Sequence, residues 1–170
     1  MKYLISLFIL IIPLDVFSQL KNYEKYLPSS TDNIIGHHSY YSYSFMKEHN
    51  LSEWTIYFTT KDMANSKRPV SLRLNLRKDP NLKSNIDLDT VLENYRNNPY
   101  DKGHLVPAAD MDFTMKSLKE TFYHTNMAPQ MDIVNRGPMR KLEWKVRQIL
   151  NKRDSLVIIT GLYFEDPENV

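Results

Sequence analysis

NPYDKGHLVPAAD, residues 98–110, is the stretch on which the fold and the chemistry of this chain depend. The 170-residue chain has only four glycines, and one of them, Gly103, stands directly before His104. Because glycine tolerates tight backbone paths, we expect a turn at Gly103 that presents the imidazole. A free imidazole has a pKa of about 6.5 and can act as a general base toward water, and Asp101 could orient it. The alternative is a purely structural role for His104, because one histidine by itself does not define the geometry of a catalytic site.

The N-terminal residues have the layout of a secretory signal peptide. Lys2 precedes an apolar run over residues 3–14, and a small residue, Ser18, follows at a suitable cleavage position. Asp15 ends the run before it reaches the roughly twenty residues that span a membrane. We predict cleavage after residue 18 and a secreted or periplasmic protein; an uncleaved anchor is the alternative.

Composition limits the function classes. The chain has no cysteine, so an exported form lacks disulfides, and its five histidines show no spacing typical of a zinc site. The formal net charge is only +2, but basic residues concentrate at 67–83 and 136–147. Such clusters are typical of a polyanion site and equally of a solvated surface, so charge alone does not decide between them.

The length of the chain predicts one domain, over residues 37–170, preceded by the signal peptide at 1–18 and an N-terminal arm at 19–36. Apolar alternation predicts a hairpin of two strands within residues 38–60, and Thr60 could cap a short helical turn. Residues 65–98 read as a long basic loop. A buried strand is predicted at 155–161, and because few candidate partner strands remain, the C-terminal part of the domain could be missing. This order indicates an α+β fold around an antiparallel sheet.

Two helices are predicted in the second half of the chain. Ser117 and Glu120 have capping-box spacing near a helix at 114–122, and an apolar stripe favours another helix at 138–151. Asn135 would then precede this helix as its N-cap, and Glu143 would be an acid on its solvated face. The alternative is a metal site, because a side-chain amide oxygen is a hard ligand suited to Mg²⁺. For His124, Asp110, Trp54 and Trp144 we expect structural roles, and His37 and His38 receive none.

Three motifs in order make a resemblance specific. YDKGHLVPAADM, ETFYHTNMAPQ and NRGPMRKLE resemble the DNA/RNA non-specific endonuclease family, whose pattern is D-R-G-H, then N-x-x-P-Q, then N-x-G-x-x-x-x-L-E. The family includes secreted bacterial nucleases and mitochondrial endonuclease G, and the resemblance covers residues 41–164. It implies a ββα-metal (His-Me finger) fold with a central antiparallel sheet flanked by helices.

The resemblance also implies roles for individual residues. His104 would be the general base, Asn135 the direct ligand of one Mg²⁺, for which Mn²⁺ can substitute, and Glu143 the holder of metal-bound waters. Lys102 stands where the family has arginine, and it lacks the planar fork that grips two phosphate oxygens, so weaker phosphate binding is expected. Further phosphate contacts are expected from Arg73, Arg77 and Arg140, and the sequence does not choose between Arg73 and Arg77 for the family's upstream arginine.

The function so implied is an exported Mg²⁺-dependent endonuclease that cleaves DNA and RNA to 5′-phosphate and 3′-hydroxyl ends. A non-catalytic nucleic-acid-binding remnant of the same fold is the alternative, favoured by Lys102 and by the early end of the chain. A phosphodiesterase acting on another polyanion is a third reading. A homodimer is compatible with the sequence, which does not specify an oligomeric state.

Overall fold

The computed structural model describes residues 5–13, 26–66, 74–82 and 99–164. The cleavage site predicted after residue 18, Arg73 and most of the predicted 65–98 loop lie outside these residues. Within them, the regular elements are β1 (Ile5–Pro13), β2 (Ile34–His37), β3 (Tyr41–Met46), β4 (Leu51–Thr60), α1 (Lys61–Asn65), β5 (Tyr100–His104), α2 (Met115–Glu120), β6 (Met127–Met131), α3 (Asp132–Val134), α4 (Arg140–Asn151) and β7 (Ser155–Phe164). Short 3₁₀ turns span Ala108–Asp110 and His124–Asn126, and a π-helix spans Asn135–Met139.

A five-stranded antiparallel sheet in the order β1-β7-β4-β3-β2 forms the centre of the fold. The predicted hairpin is confirmed as β3 and β4, and Thr60 caps α1 by accepting a hydrogen bond from the backbone of Met63. The predicted strand at 155–161 is confirmed as β7, which has a partner on each side. One of those partners is β1, which lies within the predicted signal peptide; removal of that peptide stays a prediction.

Residues 34–37 form a strand and not part of an N-terminal arm, which corrects the sequence reading. Gly36 pairs with Tyr43, and the phenol ring of Tyr43 occupies the space where a Cβ of residue 36 would stand. The strand was missed because its short run ends in a glycine and a histidine, which carry no alternation signal.

The two faces of the sheet carry separate apolar clusters. Tyr41, Tyr43 and Phe45 of β3 lie in one cluster together with Val146 and Leu150 of α4. The other cluster contains Trp54, Ile56, Val157 and Ile159, with Phe58 packed against it. Full burial of each such side chain contributes about 1.5–3 kcal/mol, so α4 is fixed to the sheet by its apolar stripe.

Next to this sheet lies a smaller unit of two strands and a helical segment. β5 and β6 pair antiparallel, with Asp101 opposite Gln130 and His104 opposite Met127, and the helical segment 132–151 follows. Gly103 therefore lies in a strand and not in a turn, and no described glycine has positive φ. Its lack of a side chain is needed because the side chain of Gln130 lies where a Cβ would be. The α+β class and the ββα arrangement are confirmed.

The helix predicted at 114–122 is confirmed as α2, whereas the helical segment that contains the helix predicted at 138–151 begins earlier. The N-cap of α2 is Thr114, which forms a capping box with Ser117, so the predicted Ser117–Glu120 pair was wrong. The helical segment of the ββα unit begins at Asp132, so Asn135 lies inside it and is not an N-cap. Proline lacks the N–H that an α-helix needs, and the backbone passes Pro138 in a π-helical turn.

Candidate functional site

Asn126 fixes the chain immediately after His104. It is fully buried, its backbone oxygen accepts from Leu105 N at 3.0 Å, and its Oδ1 accepts from Val106 N at 2.8 Å. Its Nδ2 donates to the backbone oxygens of Val106 and Thr121 at 3.0 and 2.9 Å. Every one of these hydrogen bonds from the Asn126 side chain is made to the protein backbone, so Asn126 holds the end of β5 in place. In the sequence, Asn126 stands out only as the first residue of a motif.

His104 is the half-buried last residue of β5. Its ring packs edge-on against Phe122, with centroids 5.1 Å apart, and its Nε2 has no hydrogen-bond partner among the described residues. Burial lowers the pKa of the imidazole to about 4. The ring is therefore neutral at neutral pH, and Nε2 can accept a proton.

Asp101 does not orient His104, contrary to one expectation, because its carboxylate is bound by the helical segment. Oδ2 accepts from Asn135 Nδ2 at 3.0 Å and from Arg136 Nε at 2.8 Å, and Oδ1 accepts from Arg136 Nη2 at 2.6 Å. These bonds, first Arg136 and then Asn135, lower the pKa of Asp101. They join β5 to the segment that carries Asn135.

The donor set around Asn135 suits a hard divalent cation. Because Nδ2 is committed to Asp101, the amide oxygen is the atom of Asn135 that can bind a cation. Glu143 supplies a second oxygen donor two turns further along the segment. In the described part of the chain, no three His, Cys, Asp or Glu residues gather as a cage. Few protein ligands are compatible with Mg²⁺, which usually keeps several waters.

Glu143 is half-buried and not a solvated acid. Burial raises its pKa, although Arg147, whose Nη2 lies 3.9 Å from Oε2, opposes the shift. Arg147 Nη1 donates to Asp110 Oδ1 at 2.8 Å, and the hydroxyl of Tyr57 donates to Asp110 Oδ2 at 2.8 Å. Asp110 thus anchors its loop to the sheet and to α4, as the sequence predicted.

The basic residues that were predicted to contact phosphate differ in position. Lys102 and Arg140 are exposed, and Lys102 shares a strand face with His104 because the two are two residues apart. Arg77 forms a parallel bridge with Tyr123 and its guanidinium lies 5.8 Å from the centroid of that ring. Arg77 N also donates to the backbone oxygen of Phe122, the residue that packs against His104. The backbone of Arg77 is thus bound to a residue that contacts His104, whereas Arg73 lies outside the described residues.

A second polar cluster was not predicted. Asp79 is buried and accepts from Thr125 Oγ1 and from Asn81 N at 2.8 Å, while His38 Nε2 lies 2.9 Å from its Oδ2. The His38 ring stacks on Tyr123 with centroids 4.8 Å apart. The cluster fixes the segment of Arg77 to the sheet, although sequence reasoning gave His38 no role.

The structure agrees with the structural roles predicted for His124 and Trp54 but not with the one predicted for Trp144. His124 is buried, and Trp54 is buried and donates to Ser29 O at 2.8 Å, in agreement with structural roles. Trp144, predicted to pack, is 59% exposed, so that prediction was wrong. No helix among the described residues is long and apolar enough to cross a membrane.

Comparisons with known proteins identify relatives of this chain. The sequence model of the family described as DNA/RNA non-specific endonuclease matches residues 18–170. Nuclease C1 of Cunninghamella echinulata var. echinulata is 29% identical over 73% of this chain and 49% of its own length. Nuclease 1, mitochondrial, of Schizosaccharomyces pombe is 40% identical over 46% of this chain and 24% of its own length. The chain thus spans half or less of these relatives.

A solved structure shares the fold. The chain in "Crystal structure of the EndoG/EndoGI complex: Mechanism of EndoG inhibition" superimposes with a TM-score of 0.65 at 23% identity, covering 77% of this chain and 58% of that chain. At this identity the likeness supports the fold, and the site rests on the residues described above.

Proposed function

The chain belongs to the DNA/RNA non-specific endonuclease family, and we propose that it is a metal-dependent nuclease that hydrolyses phosphodiester bonds of DNA and RNA. The observation that carries the proposal is the state of His104. Its ring is neutral, and its Nε2 has no hydrogen-bond partner among the residues that the structure describes. A neutral imidazole with a free ring nitrogen can take a proton from a water molecule.

His104 acts as the general base in the proposed reaction. It takes a proton from a water molecule, and the water oxygen forms a bond to phosphorus while the bond from phosphorus to the 3′ oxygen breaks. The leaving 3′ oxygen takes a proton from a second water molecule. The products carry a 5′-phosphate and a 3′-hydroxyl. A positioned base of this kind contributes about a hundred- to ten-thousandfold in rate.

Asn135 would hold the metal through its amide oxygen, with Glu143 accepting hydrogen bonds from waters around it. The bound ion supplies Lewis-acid stabilisation of the negative charge that develops on the phosphate and the leaving oxygen. Asp101 contributes indirectly, because its bond to Nδ2 sets the orientation of the Asn135 amide. We propose Mg²⁺ as the ion, with Mn²⁺ as a substitute, since the donors are hard oxygens.

Fixed positive charge completes the site. Lys102 lies on the strand face of His104, and Arg77 lies next to Phe122, so both can stabilise charge on the scissile phosphate. Arg140 is exposed further along the helical segment and suits a more distant phosphate. Because such contacts fall on the backbone of the substrate, little sequence specificity and strong salt dependence are expected.

Export to the periplasm or the exterior belongs to the same proposal and rests on the residues of the N-terminal segment. N-terminal sequencing of protein recovered from outside the cytoplasm would test it. A mature chain beginning at Gln19 would support cleavage, whereas an intact Met1 would contradict it.

Plasmid DNA and RNA, each incubated with Mg²⁺ or with EDTA, provide the test of the nuclease itself. We expect cleavage that EDTA abolishes and that His104→Ala lowers by about a hundred- to ten-thousandfold. Asn135→Ala should also lose activity and should bind Mg²⁺ more weakly by calorimetry. Folded wild-type protein that binds nucleic acid in Mg²⁺ without cutting it would contradict the nuclease and support the non-catalytic remnant.

A further inference from the structure

The exposed face of α4 carries an aromatic ring among cations. Trp144 is 59% exposed, although tryptophan in a folded chain is usually highly buried. The neighbouring positions on this face, Arg140, Lys141 and Lys145, are exposed as well. The opposite face contains Val146 and Leu150 in the core. The exposure therefore follows the helical period, and Trp144 lies at the centre of a basic stripe.

The two lysines of this stripe are not explained by ion pairs within the helix. Lys141 and Lys145 are four residues apart, a spacing at which like charges destabilise a helix, and neither has an acidic residue three or four positions away in the sequence. The acid on this helix, Glu143, is half-buried beside Arg147. The stripe thus bears net positive charge that a polyanion would neutralise.

We infer that Trp144 is a stacking platform for a base of single-stranded nucleic acid, with Lys141 and Lys145 on the flanking phosphates. The inference rests on the proposed nuclease function and extends its substrate contacts. Grooves for single strands combine aromatic rings with cations in this way. Trp144 lies nine residues after Asn135, which is about 13 Å along the helix axis, so one bound strand can contact both residues.

Binding measured in EDTA separates this contact from catalysis. Fluorescence anisotropy with a labelled mixed-sequence single-stranded DNA should show that Trp144→Ala weakens binding about 5- to 150-fold, the range for losing one stacked base. Trp144→Phe should retain most of the affinity, because a phenyl ring still stacks. The same sequence as a duplex should be affected much less, because its bases are already stacked on each other.

Two controls keep the result interpretable. Ile35→Ala removes an exposed apolar side chain from β2 and should leave binding unchanged. Lys141→Gln and Lys145→Gln should each lower the salt slope by about 0.7. Circular dichroism must show the same fold for every variant, and DNA should quench tryptophan emission in the wild type but not in Trp144→Phe, since the other tryptophan, Trp54, is buried.

The possible outcomes separate the stacking role of Trp144 from the proposed nuclease activity. Wild-type protein that cuts DNA while Trp144→Ala binds single strands normally would overturn the stacking role alone, and the face would then suit a protein partner. Protein that binds single strands through Trp144 but never cuts with Mg²⁺ would uphold the inference and overturn the nuclease.

Discussion

Two carboxylates in this molecule, Asp79 and Asp101, are each bound by several donors but have opposite surroundings. Asp79 is buried and two of its donors, His38 and Thr125, come from distant parts of the chain, so the cluster joins the loop between β2 and β3, the segment of Arg77 and the turn before β6. Asp101 is half-buried and its main partner, Arg136, has a side chain that is 69% exposed. The same chemistry therefore stabilises the fold in one place and remains accessible to a ligand in the other.

The pKa values show how each carboxylate is held. Burial by itself would raise the pKa of Asp79, but hydrogen bonds from His38, Thr125 and the backbone of Asn81 outweigh it, so the pKa is lowered. The pKa of Asp101 is lowered mainly by its bond to Arg136, with little burial to oppose it. The negative charge of Asp79 therefore depends on buried donors, whereas Asp101 can exchange its partner Arg136 for water.

The largest expected effect on stability comes from removing the buried carboxylate. Asp79→Ala should lower the free energy of unfolding by about 3–5 kcal/mol, because it leaves the partners of the carboxylate buried and unsatisfied. Urea denaturation monitored by circular dichroism measures the change. Asp101→Ala is the matched control, and it should cost much less stability, since its ion pair is solvated. Equal losses in the two variants would contradict the distinction between the two clusters.

Acid should reveal the cost of keeping His104 neutral. Because its folded pKa is about 4, below the ordinary 6.5, the unfolded chain binds a proton between these pH values and the folded chain does not. The free energy of unfolding should therefore fall as pH drops from about 6.5 toward 4, by about 2 kcal/mol at pH 5. Denaturation of the wild type and of His104→Gln at both pH values isolates this contribution. A wild-type loss no larger than that of the glutamine variant would show that the ring is not held neutral.

The smallest expected effect concerns Lys102. Lys102→Arg restores a planar fork on the strand face of His104 and should raise kcat/KM on DNA about two- to fivefold at low salt, as expected for one exposed charged contact. Lys102→Gln should lower it, and neither variant should change the unfolding midpoint, because the side chain is exposed. If the arginine variant is slower than the wild type, Lys102 does not contact phosphate in the productive complex.

Strands and helices with a strong local sequence pattern could be predicted from the sequence, whereas polar contacts between distant residues could not. The alternation of Tyr41, Tyr43 and Phe45 predicted β3, and the stripe containing Val146 and Leu150 predicted α4. The motifs singled out His104 and Asn135 through resemblance. Nothing local indicated that Asp101 would bind the segment of Asn135, because the two are 34 residues apart.

Errors in the sequence reading have physical causes. Gly103 looked like a turn residue, but its role is to leave space for Gln130 of the paired strand. Trp144 looked like a core residue because of its type, yet its position on the helix points it to solvent. The neighbour that decides the role of Gly103 belongs to the packing of two strands and not to the local sequence, whereas the exposure of Trp144 follows the helical period.

The sequence by itself determined the α+β class, the hairpin of β3 and β4, the strand β7 and the helices α2 and α4, because periodicity is a local property of the chain, and it proposed the site residues by resemblance. Only the tertiary structure decided which carboxylate is buried and that His104 Nε2 stays without a hydrogen-bond partner within the described residues. Burial and hydrogen-bond partners depend on segments far apart in sequence, so these properties arise when β5, β6 and the helical segment pack against the sheet.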